Sequence, residues 1–129
     1  MTINDLSGQV AVVTGGNGGI GIGFAMGCAR AGASVAIWAR NAEKSQAAME
    51  VIARHGVEVI SINCDVSDEA SVASATAETV ERLGRIDICV ANAGTTGVGQ
   101  LQDLSLEAVS YTHLRAHETV IHLVCRLLL

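Results

Sequence analysis

The chain has 129 residues, half of them hydrophobic but only 2% aromatic, and its 8 Lys and Arg against 13 Asp and Glu leave a formal net charge of −5. That length fits one domain or part of one, with a core built from Val, Ile, Ala and Leu. The acidic balance and the lack of a basic stripe interleaved with aromatics argue against a nucleic-acid partner, and no apolar run reaches the roughly 18 residues of a membrane span.

The opening MTINDLSGQV carries no basic leader region. Cys28, Cys64, Cys89 and Cys125 are widely spaced without a C-x-x-C pair, so reduced, buried thiols in a cytoplasmic protein are expected.

In chain order, the apolar run 10–13 stops in Thr14-Gly15-Gly16-Asn17-Gly18-Gly19-Ile20-Gly21-Ile22-Gly23 and turns into an Ala-rich amphipathic pattern. This reads as strand, tight turn and helix, with the helix over 21–31 and Gly32 as its stop. Residues 34–39 form a second, mostly apolar strand. Asn41 caps a helix over 42–55, residues 57–63 alternate as a strand, and Ser67 caps a helix over 68–83 that is followed by Gly84. A fourth strand, 86–91, runs into Asn92-Ala93-Gly94. Four strands alternating with helices imply βαβ units and a parallel sheet, with right-handed crossovers giving the order 3-2-1-4.

The glycine run carries the first functional signal. The first turn of a helix presents N–H groups without intrahelical partners at the positive end of the macrodipole, and a phosphate reaches them only where side chains stay out of the way. A general G-x-G-x-x-G can be laid on Gly16, Gly18 and Gly21, but in so glycine-rich a run that match is weak. Thr14-Gly15, three residues, then Gly19-Ile20-Gly21 is more specific.

This spacing resembles the TGxxxGIG motif of the short-chain dehydrogenase/reductase family. Asp65-Val66 after the third strand and Ala91-Asn92-Ala93-Gly94 after the fourth, similar to the family's NNAG, extend the resemblance from about Leu6 to Ala108. It implies an α/β fold, a Rossmann-like doubly wound parallel sheet that stops after the fourth strand and the start of the following helix. It also implies an NAD(P)-dependent oxidoreductase interconverting an alcohol and a ketone on a small-molecule substrate, and a homo-oligomeric full-length parent.

Carried over residue by residue, the resemblance implies that Gly15, Gly19, Ile20 and Gly21 line the pyrophosphate and adjoining ribose. Gly18 belongs to the same cofactor-binding run, and Asn17 helps to hold the turn. Asp65, beside Val66, bonds the adenine amino group; its alternative is a local turn or capping role. Asn92 ties the fourth strand to its neighbours, and Ala93 and Gly94 leave room beside the cofactor.

Cofactor choice follows from charge. An acidic residue about 20 residues past the glycines receives the ribose hydroxyl of NAD, whereas an arginine there accommodates the NADP phosphate. Here the second strand ends Trp38-Ala39-Arg40, with no acid before Glu43. Ala39 does not repel a phosphate and Arg40 offers it a charge-assisted fork, so NADP is expected, with NAD as the alternative. The competing reading makes Arg40 an ordinary surface charge.

The family's chemistry uses a Ser, a Tyr and a Lys four residues after the Tyr. This chain has Tyr111 as its one tyrosine and Lys44 as its one lysine, and Tyr111 is followed at that spacing by Arg115. A guanidinium is no substitute for a compact ammonium, so no catalytic residue is assigned. From 110 to 120, and again at 125–129, the sequence looks like a translated sequencing adapter joined in frame to a gene fragment. Residues 1–108 are then the N-terminal portion of an NAD(P)-binding domain and 109–129 a non-native tail, and the fragment is expected to be inactive.

Two other readings of the tail arise. His113, His117, His122 and Cys125 could form a zinc set, but the spacing misses H-E-x-x-H by one residue and no metal site is expected. Leu114, Ile121, Val124, Cys125 and Leu128 could line one face of an ordinary helix. A non-catalytic dinucleotide-binding module or sensor is the alternative function.

Overall fold

Val10–Thr14 is buried at every position and forms β1, the strand about which the sheet is laid out. The computed structural model describes residues 5–94. After β1 come α1 (Gly19–Arg30), β2 (Ser34–Ala39), α2 (Ala42–Ala53), β3 (Val59–Asn63), α3 (Glu69–Leu83) and β4 (Ile88–Val90). All pairings are parallel, and the order is β3-β2-β1-β4, as the crossover rule predicts.

Strand side chains alternate between faces, and two cores result. Val12, Ala36, Trp38, Ile60 and Ile62 pack with Val72 and Ala75 of α3. Val13, Val35, Ile37 and Ala39 pack with Ala25 and Ala29 of α1 and with Ala48 and Ile52 of α2. The helices therefore cover both faces, giving a Rossmann-like doubly wound sheet. Small alanines on α1 let that helix lie close to the strands, while the bulk of the other face comes from Trp38. Its indole N–H, fully buried, donates to Thr79 Oγ1 at 3.0 Å, and that hydroxyl donates to the Ala75 carbonyl at 2.7 Å. No buried side-chain N or O among the described residues lacks a partner.

Several element ends differ from the sequence expectation. Helix α1 begins at Gly19 and not at 21, because Gly18 serves as N-cap. Helix α2 stops at Ala53, where the backbone turns, and β3 starts only at Val59. Ser67 is not the cap of α3. Asp68 holds that place, its side chain accepting from the Ala70 N–H, while Ser67 is engaged by Asp65. The fourth strand is confined to Ile88–Val90, since the Asp87 carboxylate, and not a strand carbonyl, takes the Val10 N–H at 2.8 Å. Gly84 ends α3 in the left-handed conformation.

The register aligns Thr14 with Trp38, Ala39 with Asn63, and Val13 with Val90. The loops that follow the four strands thus gather at one end of the sheet, beyond the carboxyl ends of the strands, and border a crevice there. In open α/β sheets that crevice is where ligands sit. No helix among the described residues is long and apolar enough to cross a membrane.

Candidate functional site

The residues after β1, β2, β3 and β4 line one cleft of about 430 Å3. Gly15 and Asn17 come from the first loop, Arg40 from the second, Asp65 and Val66 from the third, and Ala93 and Gly94 from the fourth. A cleft of that size falls within the range, about 300–1,000 Å3, of small-molecule and cofactor sites.

The floor is set by Thr14, whose hydroxyl is fully buried. It accepts from the backbone N–H groups of Asn92 and Ala93, both at 3.0 Å, and faces the Val90 carbonyl at 3.4 Å. The Asn92 amide donates back to the Thr14 carbonyl at 3.2 Å and approaches that of Gly15 at 3.5 Å. Asn92 therefore ties β4 to β1 and lies beneath the cleft, not on its surface. Thr14 escaped the sequence reading as a site residue because a threonine ending a strand looks like any other β-branched residue.

Above this floor the glycine turn leads into α1. Helices α2 and α3 have their first turns capped by Asn41 and Asp68. Helix α1 has no side-chain cap, no acidic residue in its first turn, and Gly18 at the N-cap. Its first N–H groups are left for an outside acceptor, which is what a phosphate requires. Asn17 holds the turn from the side, its amide donating to Ser45 Oγ at 3.1 Å and lying 3.4 Å from the Asn41 carbonyl.

Two residues of the run, Gly21 and Ile20, sit differently from the implied lining, while Gly19 is open on its free side. The Gly21 Cα faces the Gly15 carbonyl and the Asn92 amide so closely that a Cβ has no room, so this glycine serves helix-to-strand packing. The side chain of Ile20 is 74% exposed and turns outward beside Phe24, away from the cleft, so only its backbone can serve a phosphate.

On the far side, Asp65 shows the turn geometry weighed as its alternative. Its Oδ1 accepts from the Ser67 N–H at 3.0 Å and the Ser67 hydroxyl at 2.6 Å. These bonds hold its carboxyl below the ordinary range, with the positive charge of Arg40 acting in the same direction. Its Oδ2 has no hydrogen-bond partner among the described residues and remains available to a ligand.

The cleft also contains residues the sequence reading did not single out. Trp38, Asn41, Lys44 and Cys64 line it, beside Ala39, whose lack of charge the sequence reading had weighed. Burial pushes the Cys64 thiol up, and the side chain packs in the core with Trp38, Ile62 and Val72. Among the described residues no cluster of His, Cys, Asp and Glu could hold a metal ion. Tyr111, the histidine-rich stretch and Cys125 lie outside the described residues.

With cations, an uncapped helix start and a carboxylate around one crevice, the arrangement suits a phosphorylated nucleotide. Comparison with known proteins bears on which. The family profile described as short chain dehydrogenase matches residues 9–128. The chain is 41% identical over 103 residues to hydroxynaphthalene reductase from Aspergillus fumigatus, a match covering 79% of this chain and 38% of that protein. NADPH-dependent 3-quinuclidinone reductase from Rhodotorula rubra superposes with a TM-score of 0.74 at 37% identity, covering 82% of this chain and 41% of that one. An NAD+-bound xylitol dehydrogenase gives a TM-score of 0.85 at 30% identity, covering 95% of this chain and 49% of the other. The chain thus spans about two fifths to one half of the length of these proteins. Glycine turn, floor and sheet order all agree with that match, and the chain belongs to the short-chain dehydrogenase family.

Proposed function

We propose that the chain is the cofactor-binding portion of an NADP-dependent oxidoreductase that interconverts an alcohol and a ketone on a small organic substrate. The observation that carries the cofactor choice is the end of β2, where Ala39 and Arg40 line the cleft and the strand itself ends without a carboxylate. A phosphate on the adenosine ribose meets a guanidinium there in place of a repelling acid. The NADPH-dependent relative supports this reading, and the NAD+-bound one marks the alternative that titration must separate.

In this proposal the first-turn N–H groups of α1 hold the pyrophosphate, Gly15 and Asn17 shape its bed, Asp65 and Val66 receive the adenine, and Ala93 and Gly94 flank the ribose and nicotinamide. The nicotinamide supplies the hydride. The acid–base half of the reaction needs a tyrosine with a lysine four residues on, and that pair occurs nowhere in these 129 residues. The chain by itself therefore binds cofactor weakly and does not turn over, residues 1–108 supplying the cofactor domain and 109–129 adding nothing to it. The full-length parent is a cytoplasmic homo-oligomer, and the thiols of Cys28 and Cys64 suit a reducing compartment.

Titration of the 129-residue chain with NADPH and NADH tests the reading. Tighter binding of NADPH is expected; tighter binding of NADH overturns it. NADPH-dependent carbonyl reduction by this chain alone would overturn the inactive-fragment part.

A further inference from the structure

The glycine run from Thr14 to Gly23 contains no cation, yet one is laid across it from another element. Lys44, in the first turn of α2, folds its side chain over Gly18: a Cβ at Gly18 would stand 2.5 Å from Lys44 Nζ and 2.6 Å from Cε. The extended backbone at Gly18, φ −178°, suits any residue, so it is the lysine, not the turn, that uses the missing side chain. The ammonium lines the same cleft as Arg40, four residues earlier. The close ion pairs among the described residues are Arg82–Glu78 and Arg85–Asp87, so neither cleft cation is in a direct salt bridge, although Arg40 lies near enough to Asp65 to act on its carboxyl. An exposed lysine with no partner has every entropic reason to extend into water, and here it borders a cleft already carrying a guanidinium.

We propose that Lys44 is a second specificity residue for the ribose 2′-phosphate, reaching it from above Gly18 while Arg40 holds it from the end of β2. Two cations on different sides of one dianion discriminate more sharply than a single exposed arginine, because the phosphate loses less water-facing surface unpaired. The bond from Asn17 to Ser45 of α2 ties the glycine turn to the start of that helix, so that the lysine and the turn stay together. This proposal rests on the reading of the cleft as a dinucleotide site.

The test is a titration of the full 129-residue chain with NADPH and with NADH, followed by the fluorescence of Trp38, its one tryptophan and itself a lining residue. The variants are Lys44→Gln, Lys44→Arg and Arg40→Gln, whose side chains are exposed in the wild type and whose loss leaves the cores intact. Lys44→Gln is expected to raise the NADPH Kd about fivefold to tenfold, to leave the NADH Kd within about twofold, and Lys44→Arg to restore most of the loss. Equal weakening toward both dinucleotides, or an unchanged NADPH Kd, overturns the proposal. If Arg40→Gln lowers the NADPH preference and Lys44→Gln does not, the lysine alone is discarded. A wild-type chain that prefers NADH, or binds neither, overturns the underlying reading and this proposal together.

Discussion

Gly21, in the first turn of α1, lies against the carbonyl oxygen of Gly15 with no space for a Cβ between them, and the Asn92 amide would be only 2.6 Å from such an atom. The helix is thereby seated on the turn that opens the cleft. Its neighbour Gly23, also in α1, has nothing within 4 Å of where a Cβ would stand.

The two glycines should respond oppositely to alanine. Gly21→Ala must push α1 away from the turn and is expected to cost about 1–3 kcal/mol. Gly23→Ala lowers the backbone entropy of the unfolded chain at an open helical position and is expected to add about 0.5–1 kcal/mol. Urea midpoints of the two variants against the wild type read this directly. Equal effects would mean that α1 does not depend on the contact with Gly15.

Thr14 joins the first strand to the fourth through one hydroxyl. Thr14→Val keeps the shape but leaves the Ala93 N–H without its acceptor and the Asn92 N–H with the Val90 carbonyl alone. The expected cost is about 1–3 kcal/mol, with a parallel loss of NADPH affinity because Ala93 and Gly94 lose their anchor. Chemical denaturation and dinucleotide titration of the same variant check both. Wild-type stability would show that β4 is held by its ladder bonds alone.

Acid should weaken the same sheet edge at a different point. Arg85 donates to both carboxylate oxygens of Asp87, at 2.6 to 2.9 Å, and Val10 adds its N–H. These contacts hold the Asp87 carboxyl below its ordinary value, the Arg85 hydrogen bonds foremost. A carboxyl depressed in the folded state stabilises fully above the unfolded value of about 3.9, and that stabilisation fades as pH falls through the folded value. Asp87→Asn should therefore be less stable than the wild type at pH 7 and lose less between pH 5 and pH 2, by thermal melts across that range. Identical slopes would remove Asp87 from the acid response; the Ser67-bonded Asp65 supplies the same sign.

Much of the architecture was legible residue by residue. The strand and helix periods around the glycine run, together with the handedness of crossovers, led to the parallel order β3-β2-β1-β4 found in the structure. Element ends were less legible, because they are decided by which group captures a particular N–H. Asp68 displaced Ser67 as a cap because Asp65 had already engaged Ser67, and Asp87 shortened the fourth strand by taking the Val10 N–H with its side chain.

The cleft divides along the same line. Its glycines, Asp65 and the Asn92-Ala93-Gly94 turn follow strands and were marked in the sequence by motifs that resemble the family's, while Arg40 was marked by its charge at the end of the second strand. The convergence of Thr14 on Asn92, of Gly21 on Gly15 and of Lys44 on Gly18 is not a local property. Each depends on the angle at which a helix or strand crosses its neighbour, so the one-dimensional pattern determined which elements form and at which end of the sheet the loops gather. Only tertiary packing decided which glycine is a packing contact, which threonine is the anchor, and which cation lies over the glycine turn.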